Sequence, residues 1–234
     1  GDLVTMKWWD DLWLNEGFAT WMGQRIVHKR YPAWHADLEL MGWSQGAMDS
    51  DSLVSARKIV QPIENEDDVE NAFDDLTYSK GAAIISMFER FLGEEEFRKG
   101  VQRYFAKHRF ANASTSDFLN DVLPEGSRAA FQQYLERPGV PRVDLSVTCK
   151  DGKLSMLGVR AERFLPLGSS GDPAVAFELP LCVRTDSGTM CAQVSASPKA
   201  ETPFKLEQPT RCPTFVFPNA DGAGYLRYTP TSEQ

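Results

Sequence analysis

Glu16 is a carboxylate in a stretch of sequence that consists mainly of aromatic, apolar and small residues. If residues 8–22 form a helix, the neighbours three and four positions away lie on the same face. These neighbours are Leu12, Trp13, Ala19 and Thr20. Glu16 would then point into packed protein, where an ionised carboxylate is unfavourable unless a cation neutralises it. The pattern therefore predicts a basic side chain or a metal ion beside Glu16, unless the assumed helical phase is wrong.

The sequence around this glutamate has a wider resemblance. Gly1-Asp2-Leu3-Val4-Thr5-Met6 precedes the segment that contains Asn15-Glu16-Gly17-Phe18-Ala19. Together they resemble the zinc-site region of the aminopeptidase N family of gluzincin metallopeptidases. In that family an HExxH helix supplies two histidine ligands and a general-base glutamate, and an NEGFA-like sequence supplies the third ligand. The resemblance implies that Glu16 is a zinc ligand and that the HExxH motif, followed by three spacer residues, lies immediately before Gly1.

A second segment, Phe73-Asp74-Asp75-Leu76-Thr77-Tyr78-Ser79-Lys80-Gly81-Ala82, resembles the tyrosine segment of the same family. By residue type alone, a tyrosine just before a helix is a packing residue. In the family, its hydroxyl donates a hydrogen bond to the oxyanion of the tetrahedral intermediate. A neutral, preorganised donor stabilises charge that appears only in the transition state. The resemblance therefore implies that Tyr78 is a catalytic residue.

The histidines do not complete a zinc site. The chain contains His28, His35 and His108, and no HExxH motif. Because Tyr31-Pro32 separates His28 from His35, we do not expect an unbroken helical face to carry both. A catalytic zinc usually has three protein ligands and a water. We interpret the histidines as surface or packing residues, and we expect this chain alone to hold no zinc.

Gly46-Ala47-Met48-Asp49 looks like the start of the GAMEN motif, which binds the substrate's amino terminus in this family. The family places GAMEN upstream of HExxH, whereas this stretch follows Glu16. It also has Asp49 and Ser50 where the motif has glutamate and asparagine. We therefore interpret it as a chance similarity, and we expect the true clamp to lie outside this sequence.

Composition narrows the classes of partner. The formal net charge of −8 argues against nucleic acid or an anionic membrane. No apolar run approaches the roughly 18 residues of a membrane-spanning helix. The chain starts at Gly1 without an initiator methionine, so we expect an excised segment and leave the compartment open. The cysteines, all after residue 148, are expected to be free, buried thiols rather than disulfides.

Local patterns change near Pro138-Gly139-Val140-Pro141. Before it, apolar residues recur at helical spacing in residues 82–92, 97–105 and 127–137, and Thr115-Ser116-Asp117 is a plausible helix cap. After it, short alternating stretches favour strands at residues 143–147, 176–184, 190–194 and 214–217. The patterns predict an α+β chain.

With the resemblance, we expect residues 1–139 to be the C-terminal, mainly α-helical lobe of a thermolysin-like catalytic domain. Residues 140–234 are expected to form a small antiparallel β-sandwich. The implied partners are a peptide substrate and the part of the same polypeptide that precedes Gly1. The complete enzyme would hydrolyse N-terminal residues from peptides, while the isolated chain would be inactive. The alternative is a non-catalytic scaffold or interaction protein that kept the peptidase fold.

Overall fold

The chain has an α+β fold in which a group of helices precedes two sheets. The computed structural model describes residues 1–205 and 211–229. The α-helices are α1 (Trp13–Arg30), α2 (Ala36–Asp51), α3 (Glu66–Ala72), α4 (Gly81–Leu92), α5 (Glu94–His108), α6 (Thr115–Val122) and α7 (Glu125–Glu136). A five-residue π-helical turn, Leu76–Lys80, leads directly into α4. Within the described ranges, every helix is too short or too polar to cross a membrane.

Local sequence signals explain several helix ends. Gly93, with a φ of 88°, separates α4 from α5, as the sequence predicted. At α6 the cap is Ser114 rather than the predicted Thr115 to Asp117 stretch. The Ser114 side chain accepts a hydrogen bond from the Asp117 amide, and the Asp117 carboxylate binds the Ser114 amide in return. Hydrogen bonds from the backbone and side chain of Ser114, with a smaller contribution from Lys7, hold the pKa of Asp117 well below its usual range.

The strands are β1 (Val4–Met6), β2 (Ala111–Ala113), β3 (Val140–Lys150), β4 (Lys153–Phe164), β5 (Phe177–Thr185), β6 (Gly188–Ala196), β7 (Thr202–Pro203), β8 (Val216–Phe217) and β9 (Arg227–Tyr228). Strands β1 and β2 form a small parallel pair within the helical part. The other strands form a four-stranded sheet, in the order β7-β4-β3-β9, and a three-stranded sheet, in the order β6-β5-β8. Within these two larger sheets, every pair is antiparallel except β3 and β9, which are parallel. The long strand β4 was not predicted from sequence.

Two hydrophobic cores correspond to these two parts. The first is built from α1, α2 and α4–α7, and it also contains Val140 and Tyr225. The second lies between the two larger sheets, with Val143 and Leu157 contributed by one sheet and Leu181 and Val194 by the other. The arrangement is a sandwich with one parallel pair. The division into domains at residues 139 and 140 stays a prediction.

Helices α1 and α4 approach each other through a pair of glycines. A Cβ atom added to Gly17 would lie 3.0 Å from the carbonyl oxygen of Thr77 and 3.1 Å from the Cα atom of Gly81. Farther along, the Trp21 indole Nε1 donates to Glu89 Oε2 at 3.0 Å. Because two backbones meet at Gly17, a side chain there would push α1 away from the π-helical turn.

A buried ion pair joins the helical part to the residues that follow it. Lys80 and Asp51 are both fully buried, with 2.8 Å between Nζ and Oδ2. Asp51 also accepts hydrogen bonds from the Gly139 amide (2.8 Å) and the Tyr225 hydroxyl (3.2 Å), and Lys80 donates to the Arg137 carbonyl (3.3 Å). Burial lowers the pKa of Lys80, and the charge of Asp51 opposes that shift. Each charge therefore depends on the other for its compensation.

The cysteines form two disulfide bonds, so the expectation of free, buried thiols was wrong. Cys182 and Cys191 lie directly opposite each other in the register of β5 and β6, with Cα atoms 4.0 Å apart. Cys149, near the end of β3, is joined to Cys212, and their Cα atoms are 5.7 Å apart. Strand pairing brings these residues together, which cysteine spacing along the chain did not reveal.

We expect Gly17→Ala to lower the free energy of unfolding by about 1–3 kcal/mol, because the new methyl group meets backbone atoms that cannot rotate away. Gly23→Ala is the matched control, since Gly23 lies in the same helix and its added Cβ would meet open space. The control should raise stability by about 0.5–1 kcal/mol. Urea denaturation followed by circular dichroism measures both. Equal stability of the two variants would contradict the close packing.

We expect Lys80→Met to lower the free energy of unfolding by about 3–5 kcal/mol, because it leaves the Asp51 carboxylate buried without its cation. The matched control is Lys99→Met, which breaks an exposed pair with Glu96 on α5. The control should leave the urea midpoint nearly unchanged. A Lys80→Met midpoint indistinguishable from that of the control would show that the pair is not essential to the fold.

Candidate site at the contact of two motif segments

Glu16 lies in the first turn of α1, where the preceding chain is held in place. The Asn15 side-chain oxygen accepts a hydrogen bond from the Met6 amide at 3.2 Å, and the Glu16 amide donates to the Leu12 carbonyl at 3.1 Å. Glu16 is half-buried, and Ala19, three residues later, is exposed. The expectation that Glu16 points fully into packed protein was therefore wrong. The buried stripe of α1 runs through Trp13, Gly17 and Trp21, and Glu16 lies at its edge.

Tyr78 is the central residue of the π-helical turn. The turn packs against α1, since the Thr77 carbonyl lies next to Gly17, the residue after Glu16. The Tyr78 side chain is half-buried, with the Phe73 ring centroid 6.5 Å away. A π-helical turn is rare, and such turns occur frequently at functional sites. Here it places an aromatic hydroxyl at the rim of the helical core.

The structure places the two predicted site residues near each other, with Glu16 close enough for its charge to act on the Tyr78 phenol. Burial raises the pKa of Tyr78, and the negative charge of Glu16 raises it further. A tyrosine is protonated at neutral pH even with its ordinary pKa, so the phenol has a proton with which to donate a hydrogen bond. These two side chains come from segments that are far apart in sequence.

Across residues 1–205 and 211–229, Glu16 forms no ion pair with a lysine, an arginine or a histidine. The intrachain ion pair that the sequence left open is therefore absent from this part of the chain. His28 pairs with Asp37 (Nδ1 to Oδ1, 3.1 Å), and His108 pairs with Asp121 (Nε2 to Oδ2, 2.8 Å).

A complete metal site is also missing from the described residues. No group of three or more histidine, cysteine, aspartate or glutamate side chains in these ranges could hold a metal ion. Glu16 is a half-buried carboxylate with no basic side chain paired to it in the described part of the chain, and this is compatible with the role of a single ligand. By itself it does not meet the usual count of three protein ligands.

The GAMEN-like stretch lies within α2. Ala47 and Met48 are fully buried in the helical core, and Asp49 pairs with Arg227, with 2.6 Å between Oδ1 and Nη2. These contacts account for the stretch as part of the packing between α2 and the C-terminal segment.

Sequence reasoning missed the residues that hold the two motifs together. Gly17 and Gly81 lie within the two motif segments, but the sequence did not predict that they contact each other. Lys80 was likewise given no role, although a lysine among apolar residues at a helix start signals a buried partner. Asp51, which supplies that partner, ends α2 in a segment without a functional signal.

Comparisons with known proteins identify the family of this chain. The profile described as "Peptidase family M1 domain" matches residues 1–136. The chain is 34% identical over 190 residues to "Leucyl aminopeptidase" of Saccharolobus solfataricus, an alignment that covers 80% of this chain and 23% of that protein. It is 33% identical over 241 residues to "Aminopeptidase 2, mitochondrial" of Saccharomyces cerevisiae, which covers 100% of this chain and 24% of the relative.

A third relative is "Tricorn protease-interacting factor F2" of Thermoplasma acidophilum, 34% identical over 210 residues, which span 88% of this chain and 26% of that protein. The chain thus spans about a quarter of the length of the curated relatives it matches. The profile match extends over more than half of the chain and includes both Glu16 and Tyr78. The chain belongs to peptidase family M1.

Proposed function

We propose that this chain is part of a zinc-dependent aminopeptidase that hydrolyses N-terminal residues from peptides. The observation that carries the proposal is the proximity of Glu16 and Tyr78, which two separate family-like segments bring together where Gly17 packs against Thr77 and Gly81. Membership of family M1 and relatives that are named aminopeptidases support the same conclusion. We call the longer protein of which this chain would be a part the complete enzyme.

Glu16 is the metal ligand that this chain supplies. Its carboxylate is half-buried, and among residues 1–205 and 211–229 no basic side chain neutralises it, which leaves it available to a divalent ion. A zinc ion bound there would polarise the scissile carbonyl and activate a water. The other protein ligands would come from the part of the complete enzyme that precedes Gly1.

Tyr78 is the hydrogen-bond donor of the site. The hydroxyl is protonated at neutral pH, as a tyrosine with its ordinary pKa already is, and it can donate a hydrogen bond to a developing oxyanion. The π-helical turn and α1 fix the ring before substrate arrives, so little reorganisation is needed in the transition state.

The remaining features extend the proposal to the whole chain. Residues 1–139 form the C-terminal helical lobe of a thermolysin-like peptidase domain, and residues 140–234 form a β-sandwich domain. The partners are the N-terminal part of the same polypeptide and a peptide substrate. The isolated chain is inactive, because one carboxylate does not hold a catalytic zinc.

We expect the purified 234-residue chain to bind less than stoichiometric zinc and to release no amino acid from peptide substrates. Inductively coupled plasma mass spectrometry after dialysis against zinc measures the metal, and an aminoacyl fluorogenic substrate measures the activity. The complete enzyme is the positive control. One zinc per chain together with peptidase activity in the isolated chain would contradict the proposed division of ligands.

In the complete enzyme, we expect Tyr78→Phe to lower kcat by about 10²- to 10³-fold, because the variant loses a donor that acts mainly in the transition state. KM should change little. The matched control is Tyr31→Phe, which alters an exposed tyrosine after α1 and should retain full activity. Steady-state kinetics on a peptide substrate checks both. A fall in kcat of less than threefold would show that Tyr78 is not a catalytic residue. A wild-type enzyme without activity would instead favour the alternative, a non-catalytic scaffold.

A further inference from the structure

Arg57 lies in the loop between α2 and α3 and contacts the π-helical turn that carries Tyr78. Its Nε donates to Asp74 Oδ2 at 2.9 Å, and its Nη2 donates to Asp74 Oδ1 in a close contact. The guanidinium and the carboxylate therefore form a bidentate ion pair, which a lysine cannot reproduce. Nη2 also donates to the Thr77 hydroxyl at 2.9 Å.

Asp74 in turn caps the π-helical turn. Its Oδ1 accepts hydrogen bonds from the backbone amides of Leu76 (3.0 Å) and Thr77 (3.1 Å). The Thr77 and Tyr78 amides both donate to the Asp74 backbone carbonyl at 3.1 Å. One carboxylate thus binds the first amides of the turn and the guanidinium of Arg57 together.

The guanidinium of Arg57 also donates hydrogen bonds to backbone carbonyls of its own loop and of α3. Its Nη1 donates to the Lys58 carbonyl at 2.8 Å and to the Ile59 carbonyl at 3.3 Å, and Nη2 is 3.2 Å from the Ala72 carbonyl. The side chain is only 18% exposed. Arg57, Asp74 and Thr77 therefore form a rigid link between the loop and the turn, which we call the brace. On the opposite side, the turn packs against Gly17, next to Glu16.

We propose that Arg57 is a positioning residue for Tyr78, and that it acts through Asp74 and Thr77. The brace holds the turn against α1, so it sets where the Tyr78 hydroxyl lies relative to Glu16. A donor to an oxyanion works only within a narrow range of positions, and a small displacement far from the reacting atoms lowers the rate strongly. This inference rests on the proposed role of Tyr78.

The first test uses the 234-residue chain and needs no activity. Amide hydrogen exchange by NMR is compared for wild type, Arg57→Lys, Arg57→Gln and the control Arg98→Gln. Arg98 forms a similar bidentate pair with Glu95, but on the exposed face of α5. We expect exchange of the Leu76 and Thr77 amides to accelerate at least about tenfold in both Arg57 variants, and not in the control. Unchanged exchange in the Arg57 variants would overturn the brace.

The second test uses steady-state kinetics of the complete enzyme. Arg57→Lys is expected to lower kcat about tenfold with KM within about twofold of wild type. In a Tyr78→Phe background, the same substitution should have almost no further effect, because the donor that it positions is gone. An equal loss in both backgrounds would show that Arg57 does not act through Tyr78.

The two tests separate two kinds of failure. A complete enzyme without peptidase activity would refute the proposed function, and the exchange measurement would then decide alone whether Arg57 braces the turn. Asp74→Asn provides a second variant, since it removes the carboxylate that Arg57 binds while leaving Arg57 intact. It is expected to accelerate exchange of the same two amides, and unchanged exchange would count against the proposal.

Discussion

The backbone contact between Gly17 and Gly81 is the constraint on which the rest of the site depends. Two helices can bring their main chains this close only where neither carries a side chain. Gly17 follows Glu16, and Gly81 comes shortly after Tyr78, so the contact brings the two candidate site residues close together. Each glycine is therefore as necessary to the geometry as the residues that would do the chemistry.

Two ion pairs then hold the π-helical turn, which directly precedes Gly81, in place against the rest of the protein. Arg57 and Asp74 hold its first residues, and the buried pair of Lys80 and Asp51 holds its last. Lys80 and Asp51 have no access to water, so their attraction is weakly screened and either charge alone would be unfavourable. A rare π-helical conformation persists here because both of its ends are anchored.

The same buried pair connects the β-rich part to the site. The Tyr225 hydroxyl and the Gly139 amide both bind Asp51, and these residues belong to the segments that leave and re-enter the helical core. A second connection is reciprocal, since Gln133 of α7 exchanges two hydrogen bonds with the backbone of Glu178 in β5. The β-sandwich is thus attached to the helical part by hydrogen bonds as well as by the continuous chain.

The sequence by itself determined the features that depend on near neighbours: the α+β order, the helices from α4 to α7, and the two segments that contain Glu16 and Tyr78. Helical periodicity and motif spacing are local properties, which is why they could be predicted. Only the tertiary structure decided the pairing of the cysteines, the partial exposure of Glu16, the strand β4 and the partners of Arg57 and Lys80. Each of these depends on strand register or helix packing between distant residues, and no short stretch of sequence contains that information.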